Sequence, residues 1–152
     1  IAFAREGADV AINYLPAEQS DAEEVRELIE AAGRRASLIP GDISSEAFCR
    51  EMVAQAVKNL GGLDILSLVA GKQQANTDIA TLSSEQLVKT FEINVFSMFW
   101  TVKAALPHLA AGVYSYDLFR SGLSAGRISA GLCVDQGSNC LFYAGFGKTA
   151  CG

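Results

Sequence analysis

"LDILSLVAG", Leu63 to Gly71, is the stretch whose reading decides the fold. A strand with one wet face would alternate apolar and polar side chains, whereas this one is apolar on both faces. Both faces must therefore be covered. Upstream, "SSEAFCREMVAQAVKNLGG" predicts a helix with Phe48, Met52, Val53 and Ala56 turned inward and Gly61-Gly62 as its end. Before it, "ASLIPGD" is a second strand, and "SDAEEVRELIEAAGRR" a helix with Ser20 and Glu23 at capping-box spacing. Val25, Leu28, Ile29 and Ala32 form its apolar stripe, and Gly33 stops it. "DVAINYL" is a further short buried strand, and "IAFAREGA" the tail of a helix stopped at Gly7. Downstream, "SSEQLVKTFEINVFSMFWTVKAALPHL" opens with Ser83 and Gln86 in the capping arrangement and runs as one long helix. Strands near 9–14, 36–41 and 63–69 alternating with long helices mean parallel crossovers. The chain is an α/β protein with a doubly wound, Rossmann-like parallel sheet.

Composition limits the function. With 152 residues, 50% hydrophobic and 19% charged, the chain suits one globular domain. A net charge of −5 offers no basic footprint for nucleic acid or an anionic membrane surface. No apolar run reaches the ~18 residues of a membrane span, and no signal peptide is visible, so the expected location is cytoplasmic. Cys49, Cys133, Cys140 and Cys151 form no C-x-x-C pair, and His108 is far from them, so they read as free thiols rather than metal ligands.

Ligands of doubly wound sheets bind where the strands end, so the residues just after each strand are the candidates. These are Asn13 and Tyr14, then Asp42 and Ile43, then Ala70 and Gly71. Taken alone, Asp42 also suits a helix N-cap or first-turn acid. Asn94 sits mid-helix in "FEINVFSMFW", where an amide competes with the backbone for hydrogen bonds, so its presence among apolar residues needs a reason.

"GDIS" at Gly41–Ser44, "LVAGKQ" at Leu68–Gln73 and "FEINVFSMFW" at Phe91–Trp100 together resemble the short-chain dehydrogenase/reductase family, over residues 1 to about 112. "INYLP" and "VAGKQ" are closest to a bacterial subgroup in which the second replaces the common Asn-Asn-Ala-Gly. The resemblance implies that Asp42 and Ile43 hold the adenine of a nicotinamide dinucleotide, while Ala70 and Gly71 line the cofactor. It makes Asn94 the helix-bending member of the catalytic tetrad, whose backbone carbonyl orients a water in the proton relay. Tyr14 ends a strand with no acid there to grip a ribose 2′-hydroxyl, which leans toward NADP over NAD. A small carbonyl or alcohol is the implied substrate, and a homo-oligomer the implied parent protein.

Two parts of the family pattern are absent from the sequence. The glycine-rich pyrophosphate turn would lie before Ile1, together with a first strand that stands centrally in this topology. Its loss is expected to leave two buried strand edges unpaired. The Ser-Tyr-Lys set is also missing, since Tyr114, Tyr116 and Tyr143 have no lysine four residues on. Residues 113–152 hold seven of fourteen glycines and three of four cysteines, but only five of twenty-nine charged residues.

Reading the underlying codons one base later explains that change. Gln136 before Gly137 then encodes only Lys or Arg, and Leu132 before Cys133 permits Tyr. From Gly131 the shifted frame can read Asp-Tyr-Ala-Ser-Thr-Lys-Ala-Ala-Ile. From Val113 it can read Ser-Ile-Leu-Thr-Thr-Ser-Ser, with the last serine under Phe119, thirteen residues before the tyrosine. The expectation is therefore a partial NAD(P)-binding domain over 1–112 and an out-of-frame tail over 113–152 that does not form the family's fifth strand and active-site helix in register. The parent would be an NAD(P)-dependent oxidoreductase, with this chain inactive as written. The alternatives are a non-catalytic nucleotide-binding or interaction fragment, and a flavodoxin-like receiver, whose acidic cluster Asp42 alone does not supply.

Overall fold

The computed structural model describes residues 1–72, 76, 78–116 and 139–143. The elements run α1 (Ala2–Arg5), β1 (Asp9–Tyr14), α2 (Gln19–Ala31), β2 (Ala36–Pro40), α3 (Glu46–Leu60) and β3 (Leu63–Leu68). Then follow α4 (Ser84–Phe91), a π-helical segment (Glu92–Phe96), α5 (Ser97–Ala105), β4 (Leu109–Tyr116) and β5 (Asn139–Tyr143). The five strands form one sheet in the order β2-β1-β5-β3-β4, and every neighbouring pair is parallel.

Both faces of the sheet are covered, as the apolar β3 requires. All six residues of β1 are buried. Val10 and Ile12 pack with Ala4 and Ile29 on one face. Ala11 lies on the other, with Cys49, Met52, Val53, Ala56 and Leu60 of α3 and Ala105 of α5. The alternation of side chains along a strand sends neighbours to opposite layers. Burial of each large side chain such as Ile12, Ile29, Met52 or Leu66 contributes about 1.5–3 kcal/mol.

Helix ends follow local chemistry with two departures. The Ser83 hydroxyl accepts the Gln86 N–H at 3.1 Å, and Gly33 and Gly61 end their helices at φ of 75° and 91°, where a β-carbon would be strained. The first departure is Ser20, which does not cap α2. Pro16–Glu18 forms a 3₁₀ turn leading into the helix, and the Leu15 N–H donates to Glu18 Oε2 at 3.1 Å. Pro16 is pre-organised for a first turn, so helical backbone starts earlier. The second is the inner stripe of α2, which is Ala22, half-buried Val25 and Ile29, while Leu28 is 44% exposed and Ala32 is exposed. Val25 and Ile29 keep their expected place, and Ala22 rather than Leu28 and Ala32 completes the inner stripe.

The expected pair of unpaired edges is corrected by the structure. β5 stands between β1 and β3 and pairs with both. Beyond the long helix, β4 pairs with β3 through Val113–Tyr116. The pairing is irregular where it starts: Leu109 faces Leu63, yet Val113 already faces Ile65. Strand pairing is made by backbone groups that every residue but proline carries, so these segments can pair whatever reading frame produced them. Phe119, Leu132 and Gln136, where the shifted frame reads serine, tyrosine and lysine, lie outside the described residues.

Candidate functional site

Parallel pairing puts the carboxyl ends of all five strands on one edge. The chain steps from β1 to β2 in one direction and from β3 to β4 in the other, so the topological switch lies between β1 and β3. The loops after β2 and β3 flank it, and one helix ties both down.

Asn94 makes the first tie. It lies in the π-helical Glu92–Phe96 segment and is 9% exposed. Its Oδ1 accepts the Lys72 N–H at 2.6 Å and its Nδ2 donates to the Lys72 carbonyl at 2.8 Å. The side-chain amide thus pairs with a main-chain unit much as a neighbouring strand would. Gly71 lies against it: a β-carbon there would stand 3.5 Å from Asn94 Oδ1. The uninterrupted α-helix expected here is corrected, since the helix widens to π geometry around the amide; such bulges are frequent at functional sites. Ser97 Oγ donates to the Ile93 carbonyl, and Thr90 Oγ1 donates to that of Gln86 at 2.8 Å, so hydroxyls satisfy backbone groups on either side.

Lys89, on the preceding turn, makes the second tie. Its Nζ donates to Ser44 Oγ and lies 3.4 Å from Asp42 Oδ2. Asp42 Oδ1 accepts the Ser44 N–H at 2.8 Å, closing an Asx turn. Burial pushes the Asp42 carboxyl up, but the Ser44 hydrogen bonds and the Lys89 charge outweigh it and hold it below its ordinary value. It is ionised at neutral pH. With side chains 52% and 40% exposed, the Asp42–Lys89 pair itself is worth under ~1 kcal/mol. Its importance is positional.

A family model described as enoyl-(acyl carrier protein) reductase matches residues 1–125. The chain belongs to the short-chain dehydrogenase/reductase family. It is 68% identical over 112 residues to "Uncharacterized oxidoreductase YhxD" of Bacillus subtilis (strain 168), and 60% identical over 112 residues to "Uncharacterized oxidoreductase YghA" of Escherichia coli (strain K12). In each case the match covers 74% of this chain, which spans only 38% of the relative's length. Among solved structures, a short-chain dehydrogenase from Burkholderia cenocepacia J2315 in complex with NADP superposes with a TM-score of 0.67 at 36% identity, over 70% of this chain and 42% of that one. An NADH-dependent reductase A1-R′ complexed with NAD gives 0.61 at 26% identity, over 69% and 43%.

Within this short-chain dehydrogenase/reductase fold the expected site residues divide into two groups. Gly71 lies against Asn94, Asp42 is held by Lys89 of the adjoining helix, and Ala70 is half-buried. Ile43 is buried at 7% exposure, and its carbonyl accepts the Cys49 thiol at 3.2 Å. Asn13 and Tyr14 are turned into the protein, at 3% and 2% exposure. Asn13 Nδ2 donates to the Ile39 carbonyl at 2.9 Å and to that of Gly41 at 3.2 Å, and the Tyr14 hydroxyl donates to Gln19. Asn13 thereby holds the end of β2 and the loop after it, and Tyr14 holds the start of α2. Lys89 and Ser44 went unread in the sequence, because Lys89 meets Ser44 across 45 residues and nothing local announces the pair.

Proposed function

We propose that the chain carries the cofactor edge of an NAD(P)-dependent oxidoreductase of the short-chain type, acting on a small carbonyl or alcohol. The observation that carries this reading is the Asn94 clasp on Lys72, beside Gly71, with Lys89 of the adjoining helix holding the Asp42 loop. The residues fit a dinucleotide. An ionised, half-exposed Asp42 can accept from an adenine amine, the buried Ile43 gives an apolar wall, and Gly71 leaves room for close approach. When bound, the nicotinamide supplies the hydride; the protein supplies orientation and acid/base groups. Asn94 acts by fixing the loop after β3 and, through its backbone carbonyl, by orienting a water.

NADP is the proposed cofactor, because no acid ends β1 to select an unphosphorylated ribose, and one similar structure is an NADP complex. Assembly with further copies belongs to the same reading, supported by exposed Phe91, Phe96 and Phe99 along α4 to α5. So does a cytoplasmic location, where the free thiol of Cys49 suits a reducing compartment.

As written, the chain has no Tyr-x-x-x-Lys, so proton transfer has no donor. The chain as written is expected to show no nicotinamide-dependent turnover for want of that pair, whereas removing one base near codon 112 should restore the tyrosine and lysine on which turnover depends. Turnover by the unaltered chain would overturn the reading, as would encoding DNA whose shifted codons cannot specify that tyrosine and lysine.

A further inference from the structure

The loop that follows β2 is held from three sides. Asn13 Nδ2 donates to the Gly41 carbonyl at 3.2 Å, and Lys89 Nζ reaches Ser44 Oγ and Asp42. The third hold comes from within, through α3. Cys49 is fully buried, and its thiol donates to the Ile43 carbonyl at 3.2 Å. It opens the inner face that continues as Met52, Val53, Ala56 and Leu60, all apolar. Ile43 packs in that same cluster, so without a donor at position 49 its carbonyl would lose its partner among apolar side chains. Thr101, buried on α5, brings up to the sulfur a hydroxyl that has no hydrogen-bond partner among the described residues. Burial pushes the thiol's pKa up, and the Thr101 hydroxyl pulls it back by less. The thiol therefore keeps its proton at neutral pH and has it to donate.

We propose that Cys49 is a positioning residue for the adenine loop, its thiol fixing the Ile43 carbonyl, and with it the neighbouring Asp42, before a dinucleotide arrives. This role rests on reading Asp42 and Ile43 as the adenine contacts. With no exposed surface, Cys49 touches no ligand and acts through Ile43 alone. It spares the ligand the cost of ordering the loop on binding. A thiol is a weak donor, so its removal is worth about 3- to 10-fold in loop opening or in affinity, not more.

Amide exchange and binding of adenosine monophosphate, both followed residue by residue by NMR on the full chain, test this. The Gly41 and Ser44 N–H groups, bonded to the Tyr14 carbonyl and Asp42 Oδ1, report the loop, and those of β1 report the core. Cys49→Ala should speed exchange at Gly41 and Ser44 by about 3- to 10-fold beyond any change in β1, and weaken adenosine monophosphate by a like factor. Cys49→Ser, which keeps a donor, should recover most of both. A packing role requires the opposite order, because alanine suits an apolar pocket better than a hydroxyl with nothing to bond. Loop exchange in Cys49→Ala within about twofold of wild type, or faster in Cys49→Ser than in Cys49→Ala, would overturn the proposal. So would equal binding of adenosine monophosphate by wild type and Cys49→Ala. Wild-type loop amides that ignore adenosine monophosphate would instead refute the adenine reading, and the exchange order still decides whether Cys49 sets the loop.

Discussion

Replacing Asn94 tests the clasp that organises the switch edge. Asn94→Ala removes both hydrogen bonds to Lys72, at 2.6 and 2.8 Å. Each is worth about 0.5–1.5 kcal/mol net, and Lys72 is exposed, so water can take over its backbone groups and no full desolvation penalty adds. The expected loss is therefore about 1–3 kcal/mol, or a melting temperature lower by about 2–4 °C per kcal/mol for a chain of this length. Asn94→Asp is the sharper variant. Its carboxylate can still accept the Lys72 N–H, but its second oxygen faces the Lys72 carbonyl where an amide N–H had donated. Two acceptors then oppose each other, which raises that carboxyl's pKa above the ordinary ~3.9. A protonated carboxyl can donate to the carbonyl, so the penalty relative to wild type should be largest at neutral pH and shrink as pH falls through the raised value. Urea unfolding of both variants from pH 7 to pH 4 measures this. A pH-independent penalty for Asn94→Asp, or an Asn94→Ala change within about 0.3 kcal/mol, would refute the clasp.

Two further outcomes are expected. Asp9, with a 6% exposed side chain, accepts the Arg35 N–H at 2.9 Å and Arg35 Nε at 2.7 Å, and lies 2.8 Å from Arg34 Nη2. Burial raises its pKa, but those hydrogen bonds and both arginine charges outweigh it and the net shift is downward. Its stabilising contribution is thus complete above ~3.9 and lost as pH falls through the lower folded value. Asp9→Asn should cost about 2–3 kcal/mol at pH 7 and flatten the acid limb of the stability profile, and acid titrations of unfolding that coincide in shape would contradict this. Gly41→Ala would place a β-carbon 2.1 Å from the Phe48 ring, so that ring must move, at about 1–3 kcal/mol. An unchanged chemical denaturation midpoint would show that the ring is free to swing away.

The stretch Leu63–Gly71 was enough to require a sheet covered on both faces, because a strand's side chains alternate between its faces and apolar residues fall on both. Capping at Ser83 and the helix stops at Gly33 and Gly61 were equally legible, since a cap depends on groups within a few residues. Asn94 announced itself as a polar residue in an apolar helix. Its partner did not, because Lys72 reaches it across 22 residues through backbone groups that every residue type carries. Lys89, too, reads locally as a surface lysine of an amphipathic helix, and only packing brings it to Asp42 and Ser44. Asn13 and Tyr14 follow the strand-end rule in sequence, and only the fold shows both side chains buried, Asn13 bonded to Ile39 and Tyr14 to Gln19. The strand order was also decided by tertiary structure: which segment fills the space between β1 and β3 depends on competition for unpaired backbone edges, a demand that a local pattern cannot express.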